Sequence, residues 1–278
     1  MRIVKSVSSM KRLVRKTKKH RLSIGLVPTM GYLHKGHLSL VRIARKKCRF
    51  LVVSIFVNPT QFGPREDLAQ YPRDTRRDLR LLRKEEVDAV FIPKEKDMYP
   101  QDYDTVVRAE RLSTLLCGVS RPHHFQGVTT VVLKLFNIVQ PDIAVFGMKD
   151  FQQAVIIRRM IVDLNLDIRI ITGSIVREPG GLAMSSRNIY LTPSQRKNAT
   201  VLHTALCHAR QAYRRGVRDA KKVKRCLTRK ITEKKGRIDY IEIVHKDTLL
   251  PQKRLQKNTL IALAVFFGKT RLIDNILL

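Results

Sequence analysis

Short apolar segments alternate with helical patterns along the first 176 residues, and this alternation constrains the fold more than any other feature. The segments that predict buried strands are 22–29, 50–57, 88–93, 142–147 and 167–176. The patterns between them predict helices over 37–48, 74–87, 128–139 and 150–165, with a short helix near 110–118. Apolar strands separated by helices predict an α/β, Rossmann-like parallel sheet with helices on both faces. Ligands bind at the carboxyl ends of the strands in such sheets.

The pattern changes after Val176. A connection rich in Gly, Ser and Pro is followed by two basic helical segments over about 193–235. Three β-type runs then occupy 238–244, 260–268 and 270–278. These features predict a small C-terminal α+β domain with a mostly antiparallel sheet. We therefore expect one domain over 1–178 and a second over 179–278.

The formal net charge is +32, from 55 Lys and Arg against 23 Asp and Glu. A charge of this size is typical of proteins that bind polyanions. Here the excess is spread over nearly every predicted helix, which favours a solvated basic surface and at most nonspecific nucleic acid binding. No apolar run is long enough to span a membrane, and the N-terminus lacks the apolar core of a secretory signal, so we expect a cytoplasmic protein. Four scattered cysteines predict reduced thiols and no metal site.

Two histidines and two glycines follow the first predicted strand in the stretch "PTMGYLHKGH". Gly31 and Gly36 allow tight turns and close approach of a ligand to the backbone. Helix onset at about Gly36 or His37 would offer free N–H groups and a positive dipole end to a phosphate. His34 and His37 are three residues apart and can face the same space. A metal site is less favoured, because no third ligand lies at suitable spacing.

Two further clusters follow later strands. Asn58 and Gln61 can hydrogen-bond hydroxyl and carboxylate groups without neutralising them, although the stretch alone reads as an ordinary turn. Lys149 and Gln153 share one face of a predicted helix, and Asp150 could cap that helix. A lysine at the end of a strand is a point charge suited to a polyphosphate, and a solvated lysine is the plain alternative.

The fourth cluster is the Gly-rich stretch "GGLAMSSRN", residues 180–188. Its two hydroxyls, Ser185 and Ser186, precede Arg187 on a segment that could close over a triphosphate and stabilise its developing charge. Ser and Gly also make plain linkers, so this stretch alone leaves both readings open.

Taken together, the motifs resemble those of the pantothenate synthetase family, also called pantoate–β-alanine ligases, within the HxGH nucleotidyltransferases. The motifs occur in the family's order as "PTMGYLHKGH", "SIFVNPTQF", "YPR", "RPHHFQGVTTVV", "FGMKDFQQ" and "REPGGLAMSSRNIYL". Single motifs of this kind also occur in other nucleotidyltransferases and in class I aminoacyl-tRNA synthetases. The joint set is specific to the family.

The resemblance implies a two-step reaction. The pantoate carboxylate attacks the α-phosphorus of ATP to give pantoyl adenylate and pyrophosphate, and the amine of β-alanine then displaces AMP to give pantothenate. The resemblance also implies Mg²⁺ bound with ATP, largely through phosphates and water, and a homodimer. The three substrates are then pantoate, β-alanine and ATP.

The resemblance also implies roles for particular residues. Those placed at the nucleotide are Met30, Gly31, His34, Gly36, His37, Gly147, Met148, Lys149, Asp150, Val176, Met184, Ser185, Ser186 and Arg187. Those placed at pantoate are Asn58, Gln61, Val131, Val132 and Gln153. The candidates for catalysis are His34, His37, Lys149, Ser185, Ser186 and Arg187, with His37 as the proton donor. Asp150 is expected at the ribose, Lys149 at the phosphates and Val176 at the adenine.

One stretch departs from the family pattern. The family commonly has an acidic cluster just after "YPR", whereas this chain has Asp78 among Arg76, Arg77 and Arg80. This leaves a protein contribution to Mg²⁺ binding open. Two alternatives also stay open: another HxGH nucleotidyltransferase, or a basic RNA-binding relative. Against a tRNA synthetase, 278 residues leave little room for an anticodon-reading domain.

Overall fold

The computed structural model describes residues 1–64 and 66–278, which build two separate sheets. The strands are β1 (Arg2–Val4), β2 (Ile24–Thr29), β3 (Phe50–Ile55), β4 (Ala89–Phe91), β5 (Ile143–Gly147), β6 (Arg169–Gly173), β7 (Arg237–His245), β8 (Thr259–Phe267) and β9 (Thr270–Leu277). The first six form a parallel sheet in the order β1-β4-β3-β2-β5-β6, and the last three form an antiparallel sheet in the order β7-β8-β9. The predicted fold class is confirmed.

Ten α-helices lie between or beside these strands within the described residues. They are α1 (Val7–Lys19), α2 (Lys35–Arg45), α3 (Thr75–Lys84), α4 (Glu95–Met98), α5 (Cys117–Ser120), α6 (His124–Val139), α7 (Phe151–Asp163), α8 (Pro193–Ala199), α9 (Val201–Arg214) and α10 (Ala220–Glu233). No helix among them is long and apolar enough to cross a membrane. The sequence patterns missed β1 and α4, which have only three and four residues. The basic stretch 11–21, counted among the predicted helices, lies largely in α1.

Helices cover both faces of the larger sheet. Successive residues of a strand point to opposite faces, so neighbouring residues contact different helices. Leu26 of β2 packs in one apolar cluster with side chains of α1, α6 and α7. Its neighbour Val27 packs in a second cluster with side chains of α2 and α3. A strand buried on both faces has to be apolar throughout, which is why β2 and β3 are readable in the sequence.

The chain leaves the central strand β2 in two directions. It runs through β3 and β4 toward one edge of the sheet, and later through β5 and β6 toward the other. The loops that follow β2 and β5 therefore diverge and open a crevice at the carboxyl ends of the strands. This is where parallel α/β sheets bind ligands.

The smaller sheet has its own core with α9 and α10, and it attaches to the larger sheet beside β5. The side-chain amide of Asn275, on β9, donates to the carbonyls of Met148 at 2.9 Å and Lys149 at 3.0 Å. Arg177 makes a bidentate ion pair with the buried Asp274, at 2.7 and 3.0 Å. These contacts seat the small sheet against the segment after β5. The division of the chain at residue 178 stays a prediction.

Several predicted boundaries shift. The helix predicted over 37–48 is α2, Lys35–Arg45, and the helix predicted from 128 begins at His124. The strand predicted over 167–176 is shorter, Arg169–Gly173. The earlier start of α2 has a local cause, since the side chain of His34 caps the helix.

Candidate active site

A cavity of about 230 Å³ lies at the carboxyl ends of β2, β3, β5 and β6. It gathers all but two of the residues that the sequence placed at nucleotide or pantoate. Those that line it are Met30, His34, Gly36, His37, Asn58, Gln61, Val131, Val132, Gly147, Lys149, Asp150, Gln153, Val176, Met184, Ser185, Ser186 and Arg187. The two that do not are Gly31 and Met148. Gly31 lies in the turn behind the cavity, and Met148 packs in an apolar cluster toward the smaller sheet.

His34 and His37 cap the start of α2 with their own rings. The Gly36 N–H donates to His34 Nδ1 at 3.1 Å, and the His34 N–H donates to His37 Nδ1 at 3.3 Å. The rings stack with centroids 4.0 Å apart. The helix begins at Lys35, one residue before the predicted onset, and the ring of His34 accepts the hydrogen of one of its N–H groups, that of Gly36.

The same hydrogen bonds set the tautomers of both histidines. A neutral imidazole carries one proton, so a ring that accepts at Nδ1 carries it on Nε2. Burial, followed by the positive charge of Lys149, lowers the pKa of His34 to about 4. Burial, then His34, then Lys149 hold the pKa of His37 well below its ordinary value. Both rings are thus neutral near pH 7, and each offers an Nε2–H donor to the cavity they line.

A buried carboxylate builds the turn that leads to these histidines. Asp78 Oδ2 accepts from the Tyr32 N–H at 2.7 Å, and Oδ1 accepts from the Leu33 N–H at 2.8 Å. Gly31 has a φ of +81°, and a Cβ there would lie 3.1 Å from Asp78 Oδ2. Burial raises the pKa of Asp78, while the two backbone bonds work in the opposite direction. Both carboxylate oxygens are engaged, so Asp78 positions the turn and does not face the cavity.

Asn58 is fully hydrogen-bonded within the protein. Its Nδ2 donates to the Gly127 carbonyl at 3.1 Å and to Gln61 Oε1 at 3.3 Å. Its Oδ1 accepts from the Tyr99 hydroxyl at 2.8 Å and the Thr60 hydroxyl at 3.0 Å. A carbonyl can only accept, so Gly127 fixes which end of the amide is which. Asn58 therefore acts by holding Gln61, with no hydrogen-bonding position left over for a ligand.

Gln61 consequently turns its donor end toward the cavity. Its Oε1 faces Asn58, and its Nε2 lies 2.8 Å from Met30 Sδ, a weak acceptor that a better ligand atom can replace. The buried Val131 and Val132 form an apolar wall of the same cavity. An amide donor beside an apolar wall suits a ligand that carries a polar group next to an apolar body.

The stretch Met184–Arg187 is tied to neighbouring segments. Ser186 Oγ donates to the Tyr32 carbonyl at 3.2 Å. Arg187 makes two hydrogen bonds to the carboxylate of Asp67, at 2.8 and 2.7 Å, and lies 5.6 Å from the centre of the Tyr71 ring. Burial opposes the charge of Arg187, yet Asp67 holds the pKa of Arg187 above its ordinary value. A polyphosphate in the cavity would therefore compete with Asp67 for this guanidinium.

Tyr71, Arg121 and His124 also line the cavity, and none of them was assigned a role although their motifs were noted. His124 Nδ1 lies 2.8 Å from the Gln61 carbonyl oxygen, and burial lowers the pKa of His124 to about 3. Arg121 Nε donates to Glu66 Oε1 at 2.7 Å. Nothing in "RPHHFQG" tells His124 from the exposed His123. That distinction depends on the angle at which α6 begins.

A second, smaller cavity of about 80 Å³ adjoins the first. The residues that line both are Arg121, His124, Lys149, Asp150, Gln153, Ser185 and Arg187. Its far side is formed by the smaller sheet, including Tyr240 and Arg271. The site is thus two connected chambers, the larger on the parallel sheet and the smaller between the sheets.

No group of three or more His, Cys, Asp or Glu side chains that could hold a metal ion occurs in residues 1–64 and 66–278. Among the described residues that line the larger cavity, Asp150 is the only carboxylate. The donors of the site are therefore suited to a polyphosphate that brings its own cation, rather than to a metal held by the protein.

Comparison with known proteins gives a consistent picture. A family model described as pantoate-beta-alanine ligase matches residues 2–277. A pantothenate synthetase of Acetivibrio thermocellus is 52% identical over 278 residues, covering 100% of this chain and 99% of that protein. The crystal structure of pantothenate synthetase from Thermus thermophilus has a TM-score of 0.94 and 44% identity, covering 99% of both chains. That of a pantoate-beta-alanine ligase from Francisella tularensis, complexed with beta-gamma ATP and β-alanine, has a TM-score of 0.82 and 35% identity, covering 100% and 97%.

Proposed function

The chain belongs to the pantoate-beta-alanine ligase family, and from that premise we propose that it joins (R)-pantoate to β-alanine through a pantoyl adenylate, releasing AMP and pyrophosphate. One observation carries the proposal. All but two of the residues that the family motifs assign to nucleotide and to pantoate line one cavity, at the point where the strand order reverses.

In the first step a pantoate oxygen attacks the α-phosphorus of ATP, and pyrophosphate leaves with the electron pair of the broken P–O bond. Lys149 supplies positive charge, and the Nε2–H groups of His34 and His37 donate to phosphate oxygens. Such preorganised donors stabilise charge that develops in the transition state. His37 is neutral, so it acts as a donor through Nε2–H. Ser185, Ser186 and Arg187 complete the phosphate contacts.

Pantoate lies against Val131 and Val132, with Gln61 and Gln153 bonding its polar groups and Asn58 fixing Gln61. The remaining nucleotide contacts follow the family motifs, with Asp150 at the ribose and Val176 at the adenine. The described residues that line the cavity form no carboxylate cluster, which fits a Mg²⁺ held by ATP phosphates and water. That ion would supply charge neutralisation to the triphosphate.

We further propose that the protein is cytoplasmic, and that it is a homodimer, as the family resemblance implies. Sedimentation analysis at micromolar concentration tests the second point, since a monomer would contradict it. Nucleic acid binding, if it occurs through the +32 charge, should be nonspecific and weaken steeply with added salt.

The decisive experiment is a ligase assay on the purified protein with saturating Mg²⁺. AMP should form from ATP only when pantoate and β-alanine are both present, and pantothenate should appear in equal amount. Absence of both products would refute the proposal. Exchange of pyrophosphate into ATP driven by another acid, or by an amino acid, would favour a different HxGH nucleotidyltransferase.

A further inference from the structure

His124 carries the opposite tautomer to the two histidines of α2. Its Nδ1 lies 2.8 Å from the Gln61 carbonyl oxygen. A carbonyl only accepts, so Nδ1 of His124 must carry the hydrogen, and Nε2 is left with a lone pair. His34 and His37 accept at Nδ1 and donate from Nε2. The site thus has two neutral histidine donors and one neutral histidine acceptor.

His124 Nε2 is available to a ligand. The ring lines both chambers, so it stands at the passage between them. Within the described residues no hydrogen bond reaches this nitrogen. Its partner through Nδ1 is Gln61, which faces the chamber with the apolar wall. A group that bonds to Nε2 of His124 would therefore lie next to whatever Gln61 holds.

An unprotonated nitrogen selects the ligand group that it meets. Phosphate and carboxylate oxygens have no hydrogen to give it, whereas an ammonium or amine does. The nearby guanidinium of Arg121 is engaged by Glu66, and that of Arg187 by Asp67. The acceptor is therefore open to an incoming amine.

We propose that His124 Nε2 accepts a hydrogen bond from the amino group of the second substrate and orients it toward the acyl carbon of the acyl adenylate. The proposal rests on the proposed function and adds to it a binding residue for the amine. Burial, followed by the positive charge of Arg121, keeps the pKa of His124 at about 3, so the ring stays an acceptor at neutral pH.

The chemistry of the step explains why an acceptor is needed. The substrate enters as an ammonium and must lose one proton before its nitrogen lone pair can attack. The C–N bond then forms, the C–O bond to the phosphate of AMP breaks, and AMP leaves with that electron pair. A second proton leaves the nitrogen as the amide forms, and both protons pass to water. His124 Nε2 accepts a hydrogen bond from the substrate amino group and so aligns its nitrogen with the acyl carbon. This alignment of the reacting atoms increases the rate.

The test separates the two half-reactions in three variants. His124→Asn keeps a donor that can reach the Gln61 carbonyl but removes the acceptor at the position of Nε2. Pantoate-dependent exchange of pyrophosphate into ATP should stay within about twofold, while conversion of bound pantoyl adenylate by β-alanine should slow about 10- to 100-fold. His124→Gln can place an amide oxygen near the lost Nε2 and should restore part of the rate. His123→Asn, at the exposed neighbour, should match the wild type.

The outcomes that would refute the acceptor role differ from the outcome that would refute the proposed function. Undiminished aminolysis in His124→Asn, or equal slowing of both half-reactions, would refute the acceptor role alone. Absence of pantoate-dependent exchange in the wild type would refute the proposed function and the acceptor role with it. Imidazole ¹⁵N NMR gives a readout that needs no turnover: Nε2 should be unprotonated in His124 and protonated in His34 and His37. The reverse pattern at His124 would also refute the proposal.

Discussion

The two sides of the larger cavity handle their hydrogen bonds in opposite ways. On the phosphate wall, which consists of His34, His37, Lys149 and the stretch Ser185–Arg187, the histidine Nε2–H groups have no partner among the described residues. On the pantoate wall, which consists of Asn58, Gln61, Val131 and Val132, the Asn58 amide is bonded at every position. The two histidines of the phosphate wall keep their Nε2–H donors for a charged ligand, whereas Asn58 of the pantoate wall is held in place by the protein.

The largest expected effect comes from removing one donor of the phosphate wall without damaging the fold. In His37→Asn the amide oxygen can take over the Nδ1 contact with the His34 N–H, but no group reaches the position of Nε2. Pantoate-dependent pyrophosphate exchange should fall about 10²- to 10³-fold, as for loss of one preorganised donor. Thermal unfolding should barely change. An unaltered exchange rate would remove His37 from the transition state.

A smaller effect should follow from a change at Asp78, which holds the turn that leads to His34 in the phosphate wall. Asp78→Asn turns an amide hydrogen toward a backbone N–H of the Tyr32–Leu33 turn, which should lower the free energy of unfolding by about 1–3 kcal/mol. Asp104→Asn, at an exposed carboxylate, is the matched control. Urea unfolding measures both. The Mg²⁺ concentration needed for half-maximal activity should not move, and a large rise in it would make Asp78 a metal contact.

Acid should lower the free energy of unfolding through the buried histidines of the site. The pKa values of His34 and His124 are lowered to about 4 and about 3 in the folded protein, so between those values and 6.5 the unfolded chain binds more protons. Stability is therefore complete above pH 6.5 and declines as the pH falls toward 4, by about 3 kcal/mol for each ring. Melting temperatures from pH 8 to 4 should show this decline. His34→Gln should flatten it, and an equal slope would contradict the assignment.

The smallest effect should come from a change at Tyr99, which contacts Asn58 of the pantoate wall. Tyr99→Phe removes the hydroxyl that bonds Asn58 Oδ1, so Asn58 and Gln61 lose part of their alignment. One such bond contributes about 1 kcal/mol, which corresponds to about a fivefold rise in KM for pantoate with KM for ATP unchanged. The hydroxyl of nearby Tyr103 is buried without a partner among the described residues. Tyr103→Phe should therefore leave both constants unchanged, and equal effects of the two variants would refute the contrast.

The sequence was most informative where residues act through their neighbours in the chain. Continuous apolar runs predicted the buried strands, and polar residues just after them predicted the cavity. It was least informative where a contact spans many residues. Asp78 bonds a backbone segment 45 and 46 residues away, and His124 bonds a carbonyl 63 residues away. No spacing or composition encodes such pairs, because they depend on how α3 and α6 dock on the sheet.

The contact between Asn275 and the carbonyls of Met148 and Lys149 has a mechanical consequence. The smaller sheet thus holds the backbone of Lys149, the lysine that we propose brings positive charge to the phosphates. If the two sheets rotate apart, the lysine must travel with the smaller sheet or both hydrogen bonds must break. As long as both hydrogen bonds of Asn275 hold, opening of the crevice would also withdraw that charge.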